Sequence, residues 1–175
     1  MTYVYHDGIY TNEYAELKMK VPDGFVEIGD EDRDEMFMYA VNSTPAGEDK
    51  NRLLATEYDA GFWSNGETIH IYFMNTWLGS PDGRNYTEED YLNDYLKYIS
   101  DGIKKDGIIV TQTDIIKVTL GGKDYSRGEL VMEAGGQEDH LYFYVRRLDD
   151  DLMIMIEADS MSDKRADYYE KLFMG

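Results

Sequence analysis

Two glycine pairs in the C-terminal half of the chain constrain its fold most strongly. Gly121-Gly122 separates the β-prone segments 108–120 and 123–134, and Gly135-Gly136 opens the turn into a third segment, 140–147. Glycine adopts positive φ angles without steric cost, and two-residue hairpin turns require such angles. The two pairs therefore predict tight turns between consecutive antiparallel strands of a meander.

The last strand of this meander is apolar on both of its faces. The segment 152–158 follows the acidic turn Asp149-Asp150-Asp151, and its first five residues are all Leu, Met or Ile. Such a strand belongs inside a sheet that is covered on both sides. We therefore expect an α+β fold, an α/β/α sandwich with a central antiparallel sheet. The length of 175 residues predicts a single domain over 1–175.

The clearest helix is predicted over 88–105. Thr87 is a suitable N-cap with Asp90 three residues later, a weak form of the capping box. Shorter helices are predicted over about 31–40, with acidic residues in its first turn, and over 163–173, with Ser162 as its cap. One stripe of the long helix is apolar at helical spacing and consists of Leu92, Tyr95, Leu96, Ile99 and Ile103.

The N-terminal half contains further strand signals. Leu17, Met19 and Val21 alternate with polar residues, which is the period of a half-buried strand. Segments 52–60 and 67–77 predict two strands joined by a glycine-flanked connection over 61–66. The stretch 42–51 is polar and predicts a loop.

The charge of the chain excludes several classes of function. Acidic residues number 36 and basic residues 17, which gives a net charge of −19. A nucleic-acid-binding protein needs a basic surface, and so does a protein that docks on an anionic membrane. No apolar run approaches the 18 or so residues that span a bilayer, so we expect no transmembrane segment.

The chain contains no cysteine. This excludes a disulfide framework, a thiolate metal site and a cysteine nucleophile. It also suits an exported protein that folds without oxidative partners. The opening Met1-Thr2-Tyr3 lacks the features of a signal peptide. We expect an extracellular or cell-surface protein whose export segment is absent from this sequence, with the cytoplasm as the alternative.

The turns and apolar positions resemble those of one family. The N-terminal pattern Tyr10-x-Asn12 followed by Val21-Pro22-x-Gly24-Phe25 is similar to the opening of PsbP-like domains. The long helix, the hairpin 118–125 and the aromatic end Leu172-Phe173 continue the resemblance over nearly the whole chain. It implies an α/β/α sandwich, and the opening is most similar to the branch of bacterial envelope lipoproteins. It implies no enzymatic residue and no cofactor.

Polar clusters give no specific catalytic or metal motif. His70 and His140 lie in predicted strands without metal-ligand spacing, so ordinary strand histidines are the favoured interpretation over ligands. Asp30, Asp32 and Asp34 alternate like a calcium loop, but the required later glycine and glutamate are missing. An acidic first helical turn explains them better. We therefore assign no catalytic residue, no metal site and no cofactor.

The aromatic residues are the candidates for binding. Trp77 and Tyr86 flank the predicted loop Gly79–Gly83, and Trp63 lies at the other end of the same predicted strand pair. Exposed rings at loop tips can stack on sugars or anchor a protein partner, whereas rings packed over sheet edges would have a structural role. We expect any binding surface for a protein or glycan partner around Trp77 and Tyr86.

These observations favour a non-catalytic binding or scaffold domain of the bacterial cell envelope. One alternative is a cytosolic acidic interaction module or secretion-type chaperone. Another is a hydrolase with a His/carboxylate site, which a pocket holding His70 or His140 beside two carboxylates would favour.

The net charge predicts how salt changes stability. Like charges repel one another in the compact state, and ions screen this repulsion. The melting temperature should therefore rise between low and moderate NaCl at pH 7. A steady fall over that range would contradict the prediction and would indicate a few strong ion pairs instead.

Overall fold

The computed structural model describes residues 3–44, 47–79, 86–161 and 165–175. It begins with a small antiparallel sheet of three strands, β1 (Val4–His6), β2 (Ile9–Asn12) and β3 (Leu17–Lys20). In β3, buried Leu17 and Met19 alternate with exposed lysines, as predicted. The C-terminal segment docks beside this strand. Phe173 forms a bridge with Met19, and the backbone N–H of Lys20 donates to the carbonyl of Leu172 at 2.8 Å.

The large sheet contains eight antiparallel strands. They are β4 (Val26–Glu27), β5 (Thr56–Ser64), β6 (Glu67–Asn75), β7 (Ile109–Gln112), β8 (Ile116–Leu120), β9 (Lys123–Ala134), β10 (Gln137–Arg147) and β11 (Leu152–Ser160). Their order is β4-β5-β6-β11-β10-β9, and both β7 and β8 pair with β9 at the far edge. The predicted α+β class with a central antiparallel sheet is confirmed.

The prediction for the last strand is also confirmed. β11 lies between β6 and β10, and residues 153–156 are buried on both faces. Gly121 and Gly122 form the tight turn between β8 and β9 with φ angles of 56° and 79°. Residues without positive φ at these two positions would distort the hairpin.

The structure contains five helices within the described residues. They are α1 (Asp30–Ser43), α2 (Glu48–Leu54), α3 (Thr76–Gly79), α4 (Glu88–Lys104) and α5 (Ala166–Glu170). The predicted cap of α4 is a complete capping box. The Thr87 hydroxyl accepts from the Asp90 N–H at 3.1 Å, and the Asp90 carboxylate accepts from the Thr87 N–H at 3.2 Å.

The two faces of the large sheet have different covers. The apolar stripe of α4 packs on one face, against β7, β9 and β10. The small sheet and α5 cover the opposite face, where Tyr10, Met19 and Tyr169 are fully buried. The final helix is shorter than the predicted 163–173, and its predicted cap, Ser162, lies outside the described residues.

Three boundary predictions near the middle of the chain are wrong. The predicted loop 42–51 is largely helical, because α1 continues to Ser43 and α2 begins at Glu48. The predicted strand 52–60 consequently starts only at Thr56. It then continues to Ser64, so the predicted connection 61–66 reduces to the turn Asn65-Gly66, where both residues have positive φ.

The predicted strand 108–120 is two strands. The interruption covers residues 113–115, which include the polar Thr113 and Asp114, and Asp has low β propensity. β9 is twelve residues long and can pair with both short strands, so the sheet loses little hydrogen bonding at the break.

The contact between α4 and β9 predicts a non-additive pair of substitutions. Leu96 is fully buried, and a Cβ added at Gly128 would lie 2.5 Å from its Cδ1 atom. Gly128→Ala should destabilise the fold by about 1–3 kcal/mol through overpacking. Leu96→Ala should cost about 2–5 kcal/mol through the cavity that it leaves. The double variant should lose less stability than the sum of the two single losses, because the added methyl group occupies part of that cavity.

Urea unfolding of the four proteins measures this coupling. Gly102→Ala is the matched control, because Gly102 lies at an exposed position of α4 and an added Cβ would have nothing within 4 Å. That substitution should stabilise the protein by up to about 1 kcal/mol. If the losses of unfolding free energy caused by the substitutions at positions 96 and 128 were strictly additive, this would contradict the close contact between Gly128 and the Leu96 side chain.

Candidate functional site

The position of α4 leaves half of one sheet face without a close cover. Its stripe lies over β9 and β10, whereas β5, β6 and β11 extend beyond it on the same face. This part of the sheet faces α1 and α2 instead. The arrangement opens a groove between α1 and α4, with the three strands as its floor.

The helix α1 packs only loosely over these strands. Its apolar residues form the consecutive run 36–41, which surrounds the helix and cannot form a single buried stripe. Only Arg33 and Val41 of this helix are buried, and Tyr39 is 76% exposed. Arg33 fixes the first turn by donating to the Tyr3 hydroxyl at 2.8 Å and by pairing with Asp30. The remainder of the helix forms a wall above the sheet.

The groove has the dimensions of a ligand site. Its volume is about 440 Å³, within the usual range of about 300–1,000 Å³ for such sites. The helices supply its walls with Met36, Phe37 and Tyr39 from α1, and Tyr95, Tyr98 and Ile99 from α4. A wider opening of about 820 Å³ shares Met36 and Tyr39 and extends toward Trp63 and His70.

The register of the sheet brings polar and aromatic groups together on the floor. Tyr58 of β5 lies opposite Tyr72 of β6, and their ring centroids are 4.9 Å apart. His70 of β6 lies opposite Glu157 of β11. The Tyr58 hydroxyl is hydrogen-bonded to Nδ1 of His70. Alternation along β6 explains why His70 and Tyr72 share the groove face.

Glu157 is the carboxylate of the groove. Burial in an apolar environment raises its pKa to about 7, and the negative charge of Asp159 acts in the same direction. No hydrogen bond or ion pair reaches its carboxylate from the residues that the structure describes. The side chain nevertheless borders the open groove, so a ligand can reach it.

Three tyrosine side chains line the groove together with this carboxylate. Burial raises the pKa of Tyr58, Tyr72 and Tyr95, and the charge of Glu157 raises all three further. Tyr95 is held by an edge contact with Phe143 at 5.5 Å between ring centroids. Within the described part of the chain, the hydroxyl groups of Tyr72 and Tyr95 have no hydrogen-bond partner.

The basic groups near these residues already have partners. The guanidinium of Arg33 lies 5.9 Å from the centroid of the Tyr58 ring and pairs with Asp30. Arg52 of α2 lines the groove, and its Nη2 atom lies 3.2 Å from Oδ2 of Asp94. The Asp94 carboxylate also accepts from the Tyr86 hydroxyl at 2.9 Å. His70 carries no charge at neutral pH, because burial lowers its pKa to about 4. The floor is therefore acidic and aromatic.

Of the three aromatic residues that the sequence singled out, Trp63 lies at one end of the β5–β6 pair, and Trp77 and Tyr86 lie near the other end. Trp63 pairs with Thr68 near the β5–β6 turn, is 50% exposed and lines the wider opening. Trp77 lies in α3, beyond the other end of β6. Tyr86 lines a cavity of about 20 Å³, which is room for about one water molecule. The binding surface around Trp77 and Tyr86 stays a prediction, and of the loop Gly79–Gly83 only Gly79 falls within the described residues.

The other polar clusters that the sequence offered are part of contacts within the fold. Nδ1 of His140 lies 2.7 Å from Glu129, and its ring stacks on Tyr142 on the face of the sheet opposite the groove. The acidic run at Asp30 forms the first turn of α1. No group of three metal-binding side chains occurs among the described residues.

Sequence reasoning missed the central residue of the groove. Glu157 is the only charged residue between Leu152 and Ala158, a segment that is otherwise apolar on both faces. A carboxylate inside a buried strand is costly unless the site uses it or pairs it, and that was the available signal. Tyr72 and Tyr95 gave no such signal, because their convergence depends on register and helix position.

The comparisons with known proteins concern the fold. No family model and no curated protein matches the sequence. The structure is similar to the solution structure of cyanobacterial PsbP (CyanoP) from Synechocystis sp. PCC 6803, with a TM-score of 0.54. The match covers 97% of this chain and 94% of that chain, at 13% sequence identity. The fold is PsbP-like. None of the helices in the described residues has the length and apolar character needed to cross a membrane.

In this PsbP-like fold, Glu157 predicts a pH dependence of stability. The carboxyl group binds its proton more tightly in the folded protein, where its pKa is about 7, than in the unfolded chain, where it is about 4.3. Rising pH between these values therefore lowers the free energy of unfolding through this group. Glu157→Gln should remove that loss. The free energy of unfolding of the variant, relative to that of the wild type, should therefore increase by on the order of 2 kcal/mol as the pH rises from 5 to 8.

Denaturant unfolding of both proteins at several pH values measures the difference. Glu133→Gln is the control, because it changes the net charge equally at an exposed position of β9. A difference between Glu157→Gln and wild type that stays constant across this pH range would contradict the burial of the carboxylate.

Proposed function

We propose that this chain is a non-catalytic binding domain of the bacterial cell envelope and that the groove between α1 and α4 is its ligand site. One observation carries the proposal. The groove combines largely apolar walls with polar groups that have no partner among the described residues, Tyr72 and Glu157 on the floor and Tyr95 on the α4 wall. Buried polar groups are normally hydrogen-bonded, so the site is suited to a ligand that supplies those bonds.

The construction of the walls supports binding rather than packing. Met36 is 49% exposed although it lies on the groove side of α1, and methionine and tyrosine adapt to varied apolar surfaces. A small molecule with an apolar body fits a volume of about 440 Å³. The placement in the envelope rests on the sequence resemblance to PsbP-like lipoproteins and on the lack of cysteine.

The hydrolase alternative has one observation in its favour. A carboxylate whose pKa is about 7 has the proton affinity of a general base at neutral pH. The neighbouring His70 is a weak base, because its pKa is about 4 and its Nδ1 atom is bonded to Tyr58. Turnover in a broad screen of ester, amide and glycoside substrates that Glu157→Gln abolishes would establish the enzyme and overturn the non-catalytic proposal.

Binding of a neutral apolar probe tests the groove directly. N-phenyl-1-naphthylamine should bind the protein with a rise in its fluorescence. In protein labelled with ¹³C at the methionine methyl groups, signals of Met36, Met74 and Met155 should shift, because these residues line the groove. The signals of Met19 and Met132, which lie elsewhere, should not move.

Two substitutions on the same helix provide the matched comparison. Ile99 lines the groove, whereas Ile103, one turn later, is also partly buried but does not. Ile99→Trp should weaken probe binding at least fivefold, and Ile103→Trp should leave it unchanged. Shifts confined to methionines outside the groove, or equal effects of the two substitutions, would overturn the assignment of the site.

A further inference from the structure

The polar groups of the groove come from four of its elements. Glu157 of β11, Tyr72 of β6 and Tyr58 of β5 lie on the floor, and Tyr95 of α4 lies on the wall. The rings of Tyr91 and Tyr98 flank Tyr95 at 6.0 and 6.4 Å between centroids. A single carboxylate thus lines the same groove as several aromatic rings.

The protein does not supply a cation for this carboxylate within the described residues. Arg52, the basic side chain on the groove wall, is paired with Asp94, and Arg33, which lies over the Tyr58 ring, is paired with Asp30. His70 bonds to Tyr58 and is neutral. The charge that acts on Glu157 is that of Asp159, which is also negative. The site therefore has the charge and the aromatic surface that complement a positive ligand.

We propose that the groove binds an organic ammonium ion that carries an apolar body, with the cationic head at Glu157 and the body along the methionine and isoleucine walls. The inference rests on the proposed function of the groove and specifies its ligand class. Aromatic faces attract ammonium groups, and quaternary ammonium ions are commonly recognised by aromatic cages. The walls bury the apolar part, which a simple inorganic cation would lack.

A metal ion fits this arrangement less well. Hard divalent cations need about six oxygen ligands, and transition metals prefer several imidazole or carboxylate ligands. Here one carboxylate faces phenol rings, Met155 and Ile99. A diffuse organic cation needs no such ligand set, because ring faces and a carboxylate attract it without coordinate bonds.

The proposal also fixes the pH dependence of binding. The titratable and charged groups of the groove around Glu157 are His70 and Tyr72 on β6, Tyr58 on β5, Asp159 on its own strand, Tyr91, Tyr95 and Tyr98 on α4, Arg33 and Tyr39 on α1 and Arg52 on α2. The pKa of Asp159 is raised to about 6, by burial first and then by Asp139 and Glu67. Between pH 5 and 8, Glu157 and Asp159 acquire charge, so affinity for a cation should rise. The ligand should displace a proton from Glu157.

Three ligands with the same chain length test the inference by calorimetry: octyltrimethylammonium, 1-octanol and octanoate, all below the concentration at which they aggregate. At pH 8 the ammonium ion should bind at least tenfold more tightly than either of the others. At pH 7 its binding should release about half a proton, seen as a dependence of the heat on the ionisation enthalpy of the buffer. Its affinity should fall on going from pH 8 to pH 5.

Substitutions distinguish binding at Glu157 from the general electrostatic attraction of a cation to an acidic protein. Glu157→Gln should reduce ammonium binding at least tenfold and abolish proton release, while 1-octanol still binds. Any pH dependence of binding that remains in this variant reflects the titration of Asp159. Glu133→Gln removes the same charge from an exposed position and should change the affinity less than twofold.

The outcomes distinguish the two proposals. Equal binding of octyltrimethylammonium and 1-octanol, or equal effects of the two glutamine substitutions, would overturn the ammonium inference and leave the groove as an apolar site. If none of the three ligands shifts the methyl signals of Met36 or Met155, both the inference and the proposed function fail.

Discussion

The architecture depends on burying β11 on both faces. Its methionine and isoleucine side chains point alternately to the two sides of the sheet, so each side needs a cover. On one side the small sheet is fixed by a buried carboxylate. Asp59 accepts hydrogen bonds from the Tyr10 hydroxyl at 2.6 Å and the Asn12 side chain at 3.1 Å. Asp59 lies at a bulge of β5, where the irregular register turns it toward these donors.

The opposite side is covered unevenly, and the groove is the result. The stripe of α4 is wide enough for β9 and β10, and Gly128 lets the helix approach the sheet closely. The same closeness keeps α4 away from β5 and β6, where α1 lies with little burial of its own. A fold that needs a complete core on one face can therefore leave an accessible space on the other.

Local sequence signals explain how much of this fold was predictable. The glycine pairs, the α4 stripe and the apolar strand β11 are each encoded within a few neighbouring residues. Asn65-Gly66 is an equally local hairpin signal that was missed, because glycines on both sides suggested a longer connection. The helix α2 and the groove could not be predicted in this way. Leu53 and Ile99 line the same space only because distant elements pack together, and sequence periodicity contains no information on that distance.

The docking of the C-terminal segment on β3 has a consequence for how the protein is made. The N–H of Met174 donates to the carbonyl of Lys18 at 2.9 Å, next to the bridge between Phe173 and Met19. These partners are separated by almost the entire sequence, and contacts of that kind slow folding because a long loop must close first. On the ribosome, the small sheet is synthesised early but lacks its last backbone partners until translation has passed residue 174. The nascent chain must therefore keep the edge of β3 exposed through most of its synthesis, a period in which an unpaired strand edge is open to other chains.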